Sequence, residues 1–235
     1  MQLVSTDVVK WREDLCRQFL RFDFEPSGKG SFHGCIEPIL AGDGLRLARY
    51  SHTTGAVFRN KCVTKDGNDD LVLLLPTKSA IFVKQGDRET CIGIGRAVFV
   101  RNGEIGRAAC MADNSVFALM LDPKIVNVAG EGLYSLVGQA LPRTRNLAIL
   151  RSYLVWLHRN GASLTSENSR IFGRQLVELV MICAAVDASA ADKENDLSGA
   201  RIRLANDFIS QNFQDSCLSE RHLAALQGIT VRYLQ

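Results

Sequence analysis

The sequence lacks the paired cysteines and clustered histidines on which many small catalytic and structural sites are built. None of its seven cysteines stands in a CxxC pair, and the odd number argues against a framework of disulfides and against a thiolate zinc site. Unpaired thiols favour a reducing cytoplasm. The histidines are isolated as well, at His33, His52, His158 and His222. Because a metal-dependent barrel enzyme needs several imidazoles converging on one ion, we expect neither a metal nor another cofactor.

Motifs of catalysis and membrane insertion are also missing. There is no Gly-x-Ser-x-Gly elbow and no P-loop. Gly93 and Gly95 are not followed by the third glycine of a phosphate cradle, so they indicate a bend in a strand. The N-terminus does not have the layout of a signal peptide, and no apolar run reaches the roughly 18 residues of a membrane span. We therefore expect a soluble, cytoplasmic protein without enzymatic activity that does not associate with a membrane. A catalytic cysteine–histidine pair stays open, because residues distant in sequence can meet in a fold.

Short apolar segments punctuated by Gly, Asn and Asp fill the chain from Phe22 to about Asp122. An amphipathic helix over residues 5–20 precedes them. Gly86-Asp87 predicts one turn, and Asn102-Gly103 carries the typical signal of a type I′ hairpin that joins strands over 97–101 and 104–111. Strands at this spacing predict a β-sandwich or small barrel rather than a βαβ sheet.

After Pro123 the apolar period becomes helical. Four leucines fall on one stripe and supply more apolar surface than a single surface helix needs; they are Leu147, Leu150, Leu154 and Leu157. A second long helix is predicted over 166–188, and the polar stretch 187–200 indicates a linker. The basic stretch from 143 to 174 is typical either of a solvated helix face or of a contact with nucleic acid or an acidic partner.

The C-terminal stretch, residues 201–235, carries the most specific pattern. A helix with an apolar stripe is followed by Ser219, a good N-cap, and by a short helix that ends at Gly228. Thr230 then caps a third helix that begins at Val231. Two short helices joined by a tight glycine-containing turn are typical of a helix-turn-helix, whose second helix enters the major groove of DNA.

These residues resemble the first helix-turn-helix of the AraC/XylS-type DNA-binding domain. The family pattern is matched at Leu218-Ser219, Leu223-Ala224, Gly228-Ile229-Thr230 and Arg232-Tyr233-Leu234. The Arg-x-Phe, the long linking helix and the second helix-turn-helix of that family do not follow in this sequence. The resemblance therefore implies an incomplete DNA-binding domain, and the alternative is an ordinary helical hairpin.

The order of the preceding segments is similar to that of AraC-type regulators with a cupin-like sensing barrel. The resemblance implies an α+β fold: an N-terminal cupin-like β-barrel or jelly roll with helices, followed by an all-α partial helix-turn-helix. Its domains would be an N-terminal helix and sensor barrel over 1–122, a helical dimerisation region over 123–186, the linker over 187–200, and the incomplete helix-turn-helix over 201–235. The four leucines of the first long helix would form the dimer interface.

A sensor barrel would bind its effector through a few polar side chains on an apolar wall. Candidates on or beside the early strands are His33, Arg46, Arg49, Tyr50 and His52. Arg46 and Arg49 are three positions apart in one strand and point to opposite faces, so at most one of them faces a pocket. The candidate DNA contacts are Thr230, Val231 and Arg232, since a recognition helix reads bases with residues near its N-terminus.

The favoured hypothesis is an effector-responsive transcriptional regulator. Its expected partners are a small-molecule effector of unknown identity, promoter DNA in a complete chain, a second copy of the chain in a homodimer, and RNA polymerase as a further candidate. The alternative is an effector-binding and dimerisation module without DNA binding of its own. A barrel enzyme that modifies a small molecule is a third and more distant hypothesis.

Overall fold

The computed structural model of the chain describes residues 3–18, 21–27, 31–129 and 132–185, together with Ser219 and Ala224. The strands are β1 (Leu3–Ser5), β2 (Asp23–Pro26), β3 (Gly34–Gly42), β4 (Leu45–His52), β5 (Gly55–Arg59), β6 (Leu71–Pro76), β7 (Ile81–Gln85), β8 (Arg88–Ile92), β9 (Ala97–Arg101), β10 (Gly106–Cys110), β11 (Asn114–Leu121) and β12 (Ala140–Leu141). The α-helices are α1 (Val8–Gln18), α2 (Pro123–Ala129), α3 (Gly132–Ser135), α4 (Arg145–Asn160) and α5 (Ser166–Ala184). Short 3-10 helices lie at Val63–Asp66 and Gly161–Ser163.

The strands form two antiparallel sheets. The larger sheet has the order β1-β3-β4-β11-β6-β9-β12, and the smaller has the order β2-β5-β10-β7-β8. From β4 to β11 the chain passes repeatedly from one sheet to the other, so neighbours in sequence are distributed between both. This arrangement is a mostly β, cupin-like jelly roll with helices, as the resemblance implies, and it agrees with the β-sandwich or small barrel that the short strands predict.

The larger sheet is buried on both of its faces. Along β11, Phe117 and Leu119 belong to a core shared with the helices, whereas Ala118 and Met120 belong to the core between the two sheets. The sequence LVLLLP of β6 is buried at all six positions for the same reason. Uninterrupted apolar strands are typical of a sheet covered on both sides.

The four leucines of α4 do not have the role that the sequence predicts. Leu147, Leu150, Leu154 and Leu157 are at most 2% exposed and pack into the core between the helices and the larger sheet. They are therefore buried within one chain, and the prediction that these side chains form the dimer interface is wrong. Helical periodicity identifies the apolar face of a helix but does not identify what covers that face.

The hairpin predicted at Asn102-Gly103 is also wrong. Strands β9 and β10 do not pair, because β9 lies in the larger sheet and β10 in the smaller. Neither Asn102 nor Gly103 has the positive φ of a type I′ turn. Asn102 is instead buried, and its backbone N–H donates a hydrogen bond to the carbonyl oxygen of Asp70 at 2.9 Å. Gly103 is needed for space, since a Cβ there would lie 2.3 Å from Oδ1 of Asp69.

The N-terminal helix begins later than predicted and packs into the core between the sheets through Trp11 and Leu15. It begins at Val8, after Asp7, whose Oδ1 accepts hydrogen bonds from the amides of Val9 and Lys10. Trp11 is almost fully buried, with its indole ring directly against Gly34. Packing of the buried Trp11 ring, the aromatic anchor of this helix, therefore holds the helix on the barrel.

In the C-terminal segment the structure describes Ser219, which is exposed, and Ala224, which is helical and buried. The residues of the predicted linker, and the DNA contacts Thr230, Val231 and Arg232, lie outside the described residues. In the part of the chain that the structure describes, no helix is long and apolar enough to cross a membrane.

Candidate functional site

The candidate site is a cavity of about 70 Å³ between the two sheets, beside the N-terminal helix. Its apolar wall consists of Leu15, Phe22, Val57, Val72, Leu74, Val100, Ala108, Ala118 and Met120. Strand pairing explains the wall on the larger sheet, because Ala118 lies opposite Leu74 and Met120 opposite Val72. The volume is about five times the space that one water molecule needs. An apolar cavity of this kind is a candidate site for a small molecule.

Tyr50 is the polar side chain set into this wall. It lies on β4 opposite Val116 of β11, on the face that points toward the smaller sheet. Its ring stacks on His52 with centroids 6.0 Å apart. We find no hydrogen-bond partner for the Tyr50 hydroxyl among the described residues. Burial raises the pKa of Tyr50, so the hydroxyl keeps its proton at neutral pH and is both a donor and an acceptor.

A network of hydrogen bonds closes one end of the cavity around Arg59. The guanidinium contacts both carboxylate oxygens of Asp66, at 2.8 and 3.1 Å. It also donates to the carbonyl oxygens of Arg21, Val63 and Asn102. The hydrogen bond from Arg59 lowers the pKa of Asp66, so this carboxyl stays ionised. The charge of Arg59 is therefore neutralised inside the protein.

His52 and Cys110 form the cysteine–histidine contact that the sequence left open. Their Sγ and Nδ1 atoms are 3.7 Å apart, and both residues are buried. Burial lowers the pKa of His52 to about 4 and raises the pKa of Cys110 to about 12, so both are neutral near pH 7. A nucleophilic cysteine needs the opposite shifts, a thiolate beside a base. With Trp11 and Phe24 edge-on to the imidazole, this pair is part of the core.

The other predicted effector residues are not brought together with Tyr50. His33 is exposed just before β3. Arg46 shares the inner face of β4 but is bound to Asp70 at 2.5 Å. Arg49 points to the opposite face, as the spacing of the two arginines predicts, and its Nε donates to Oγ of Ser115 at 2.8 Å. Of the five predicted side chains, Tyr50 lines the cavity and His52 packs behind it.

Arg49 belongs to a polar cluster between the larger sheet and α4. Its guanidinium lies 3.4 Å from Glu37, which also contacts Nε2 of His158 at 2.5 Å. Burial raises the pKa of Glu37, but the hydrogen bond from His158 and the charge of Arg49 outweigh that effect and lower the pKa overall. This cluster fixes α4 on the sheet and lies on the side of the sheet away from the cavity.

Sequence reasoning missed the wall of the cavity. The signal was present in the alternation of β11, where Phe117, Leu119 and Leu121 alternate with the smaller or more flexible Val116, Ala118 and Met120. Such a pattern shows two differently filled faces, but not which one meets a second sheet across a gap. In the described part of the chain, no three His, Cys, Asp or Glu side chains are grouped as a metal site would require.

Comparison with known proteins places the barrel in a family. The model of the AraC-binding-like domain matches residues 11–183 of the 235 residues. No curated protein matches the sequence. Among solved structures, the AraC-like transcriptional activator CuxR is similar in fold, with a TM-score of 0.67 and 17% identity, covering 100% of this chain and 87% of that chain.

Cupin proteins are more distant matches. A cupin superfamily protein from Desulfitobacterium hafniense has a TM-score of 0.33 and 11% identity over 42% of this chain and 82% of that chain. A putative mannose-6-phosphate isomerase from Ralstonia eutropha has a TM-score of 0.32 and 13% identity over 41% of this chain and 90% of that chain.

Proposed function

Because this chain belongs to the family of AraC-binding-like domains, we propose that it is the sensor part of an AraC-type transcriptional regulator, with a small effector bound in the barrel and promoter DNA bound by the C-terminal residues. The observation that carries the effector site is the cavity between the sheets. It is apolar, it contains one unpartnered hydroxyl, and the neighbouring cysteine and histidine are both neutral. These are properties of a binding site rather than of a catalytic one.

The larger sheet offers a route from the cavity to the helices. Ala118 and Met120 face the cavity, while Phe117 and Leu119, their neighbours in the same strand, belong to the core shared with α4 and α5. A molecule that displaces the inner residues therefore acts on a sheet whose other face supports the helices. Effector binding would be coupled in this way to the position of the DNA-binding ends, a free-energy coupling between separate sites.

The test is transcription from the DNA upstream of the gene, in cells that carry the wild-type chain, no chain, or the Ala118→Leu variant. Leu at position 118 adds three carbon atoms to the wall of the cavity. We expect the wild-type chain to change reporter expression between growth conditions, and the variant to hold it at one level. Equal expression with and without the chain in every condition would overturn the regulatory function.

A homodimer is the second element of the proposal, and it requires a face other than the four buried leucines. Exposed apolar side chains lie on the outer sides of α4 and α5; they are Ile149, Trp156, Ile171 and Ile182, between 41% and 55% exposed. We assign the subunit contact to this surface, which we call the outer helix face. Sedimentation of wild type and Trp156→Ser tests it, with a dimer expected for wild type and a weaker one for the variant. A wild-type chain that stays monomeric at high micromolar concentration would contradict the assignment.

DNA binding is the third element, and its residues are Thr230, Val231 and Arg232. A gel shift with upstream DNA, repeated at increasing salt, separates specific binding from charge alone, because non-specific complexes dissociate as salt rises. Loss of the specific complex in Arg232→Ala supports the assignment. If the wild-type chain gives no specific complex, an effector-binding and dimerisation module remains. RNA polymerase is a further proposed partner of the complete regulator, to be tested by transcription in vitro.

A further inference from the structure

The charged residues near the cavity decide which molecules it can accept. Arg59 is neutralised by Asp66 and by three carbonyl oxygens. Arg101 is bound to Asp69 through two hydrogen bonds of 2.7 and 2.6 Å, and its guanidinium lies over the ring of Tyr134. Neither guanidinium is available to an ionised molecule in the cavity without losing its own carboxylate.

Two further cations border the cavity but belong to the other surface of the smaller sheet. In the strand register Arg107 lies opposite Phe58 and Lys84, whereas the adjacent Ala108 lies opposite Val57 and Val83 of the inner core. The side chain of Arg107 accordingly pairs with Glu25 and lies near the ring of Phe58, on the outside. Lys84 shares that outer face. The carboxylate that borders the cavity, Glu104, is about half exposed and pairs with Arg101 at 3.6 Å. The space between the sheets therefore offers no free counter-charge.

An ion that enters an apolar space without a partner loses its hydration, at a cost of several kcal/mol. A molecule with many hydroxyl groups also loses hydration energy, because each of its hydroxyls leaves water and the cavity offers one protein hydroxyl as a hydrogen-bond partner. The side-chain amides of Gln85 and Asn102 are already hydrogen-bonded within the protein. That of Gln85 bonds to the backbone of Arg101, and that of Asn102 bonds to Asn68. Nε of Arg107 is buried without a hydrogen-bond partner, but this side chain lies on the outer face of the smaller sheet. On the inner face, Tyr50 is the polar group that remains.

The size of the space sets an upper limit. Its volume of about 70 Å³ is roughly half that of an engineered cavity of about 150 Å³ that binds benzene. Met120 lines the wall, and an unbranched thioether side chain rearranges readily, so a single small ring is accommodated when it moves.

We propose that the effector is a small uncharged molecule, mainly hydrocarbon and no larger than one ring, with a single hydroxyl or carbonyl group that hydrogen-bonds to Tyr50. This inference rests on the proposed function of the barrel as a sensor. It excludes sugars, carboxylates and amines from the cavity.

The experiment uses four five-membered rings that differ in charge and polarity: cyclopentanol, cyclopentanecarboxylate, cyclopentylamine and ribose. Binding to the full 235-residue chain is measured by calorimetry and by thermal shift. We expect cyclopentanol to bind and the other three not to bind. Tyr50→Phe should weaken cyclopentanol binding about fivefold, the loss of one neutral hydrogen bond. Tyr134→Phe is the matched control, because the Tyr134 ring packs against Arg101 and does not line the cavity. This variant should bind cyclopentanol with the affinity of wild type.

Two variants locate the binding in the cavity. Ala118→Leu should abolish cyclopentanol binding by filling the space, and Met120→Ala should admit the larger cycloheptanol. Circular dichroism shows whether each variant is folded, and the enlarged variant keeps the proposal testable if the filled one is not. Carboxylate, amine or ribose binding that Ala118→Leu removes would overturn the ligand class while leaving the sensor function intact. Failure of cyclopentanol and cycloheptanol to bind any folded variant would also overturn the class. A reporter that responds normally in Ala118→Leu would instead contradict the sensor function itself.

Discussion

The two faces of the larger sheet are made from the same strands but are filled to different degrees. Toward the helices, β6 and β11 present Leu71, Leu73, Leu75, Phe117, Leu119 and Leu121, all buried in one continuous core. Toward the smaller sheet, the same strands present Val72, Leu74, Val116, Ala118 and Met120, and a cavity remains. Alternation along one strand thus gives two different faces: one is packed without a gap, and the other borders a cavity.

The largest effect should come from removing volume on the helix side. Leu119→Ala is expected to lower the free energy of unfolding by roughly 2–5 kcal/mol, because Leu119 is fully buried among packed side chains. Met120→Ala, at the next position of β11, should cost clearly less, since Met120 already borders empty space. Denaturant unfolding of both variants measures the difference. Equal losses would show that the two faces are packed alike.

The pH dependence of stability tests the burial of His52 on the inner face of the larger sheet. The pKa of His52 is lowered to about 4 from its usual 6.5, so the unfolded chain takes up this proton first as the pH falls. The neutral imidazole therefore contributes stability that is fully present above pH 6.5 and is lost between 6.5 and about 4, roughly 3 kcal/mol in all.

Unfolding measured at pH 7, 6 and 5 should show this slope in wild type and not in His52→Gln. His33→Gln is the matched control, since its side chain is exposed, and its profile should follow wild type. A slope that persists in the His52 variant would place its origin elsewhere.

The aromatic anchor of the N-terminal helix should tolerate little change. A Cβ on Gly34 would lie 2.3 Å from Cδ1 of Trp11, a rigid and buried ring, so Gly34→Ala should cost roughly 1–3 kcal/mol. Gly132→Ala is the control, because nothing lies within 4 Å of a Cβ added there. Thermal unfolding compares them, and a neutral Gly34→Ala would mean that the helix moves freely on the barrel.

The smallest effect is expected at the polar cluster under α4. Glu37→Gln removes the charge that faces Arg49 and His158, and we expect a loss of about 1 kcal/mol. Asp113→Asn is the control, since its ion pair with Lys78 is largely exposed and such pairs contribute little. If both variants lose equal stability in denaturant unfolding, the cluster does not hold the helix.

Many of the strands and the β-sandwich or small-barrel class were predictable from the sequence, because alternation and turn residues are local signals. What packs against each apolar face, and which sheet each strand joins, were not predictable. The stripe of Leu147 to Leu157 shows an apolar helix face, but its cover, a sheet in the same chain, depends on tertiary packing. Asn102-Gly103 has the composition of a hairpin, yet here the two strands belong to different sheets and the glycine makes room for Asp69.

The candidate site was predictable only at Tyr50 and at its neighbour His52. Polar residues on an early strand were the available guide, and they led equally to Arg49, whose side chain points to the other face. Small side chains, chiefly Ala108 and Ala118, leave the space of the cavity. The alternation of β11 shows that its two faces differ, but the gap itself follows only from the position of the opposing sheet.

Burial of the larger sheet on both faces also sets a hierarchy of motion. Amides of β6 and β11 lie in its middle, so their hydrogens should exchange with solvent only when the whole domain opens. Strands β2 and β8, at the two edges of the smaller sheet, can open locally and should exchange much sooner. We therefore expect local opening in the smaller sheet, beside the cavity, while the larger sheet stays closed.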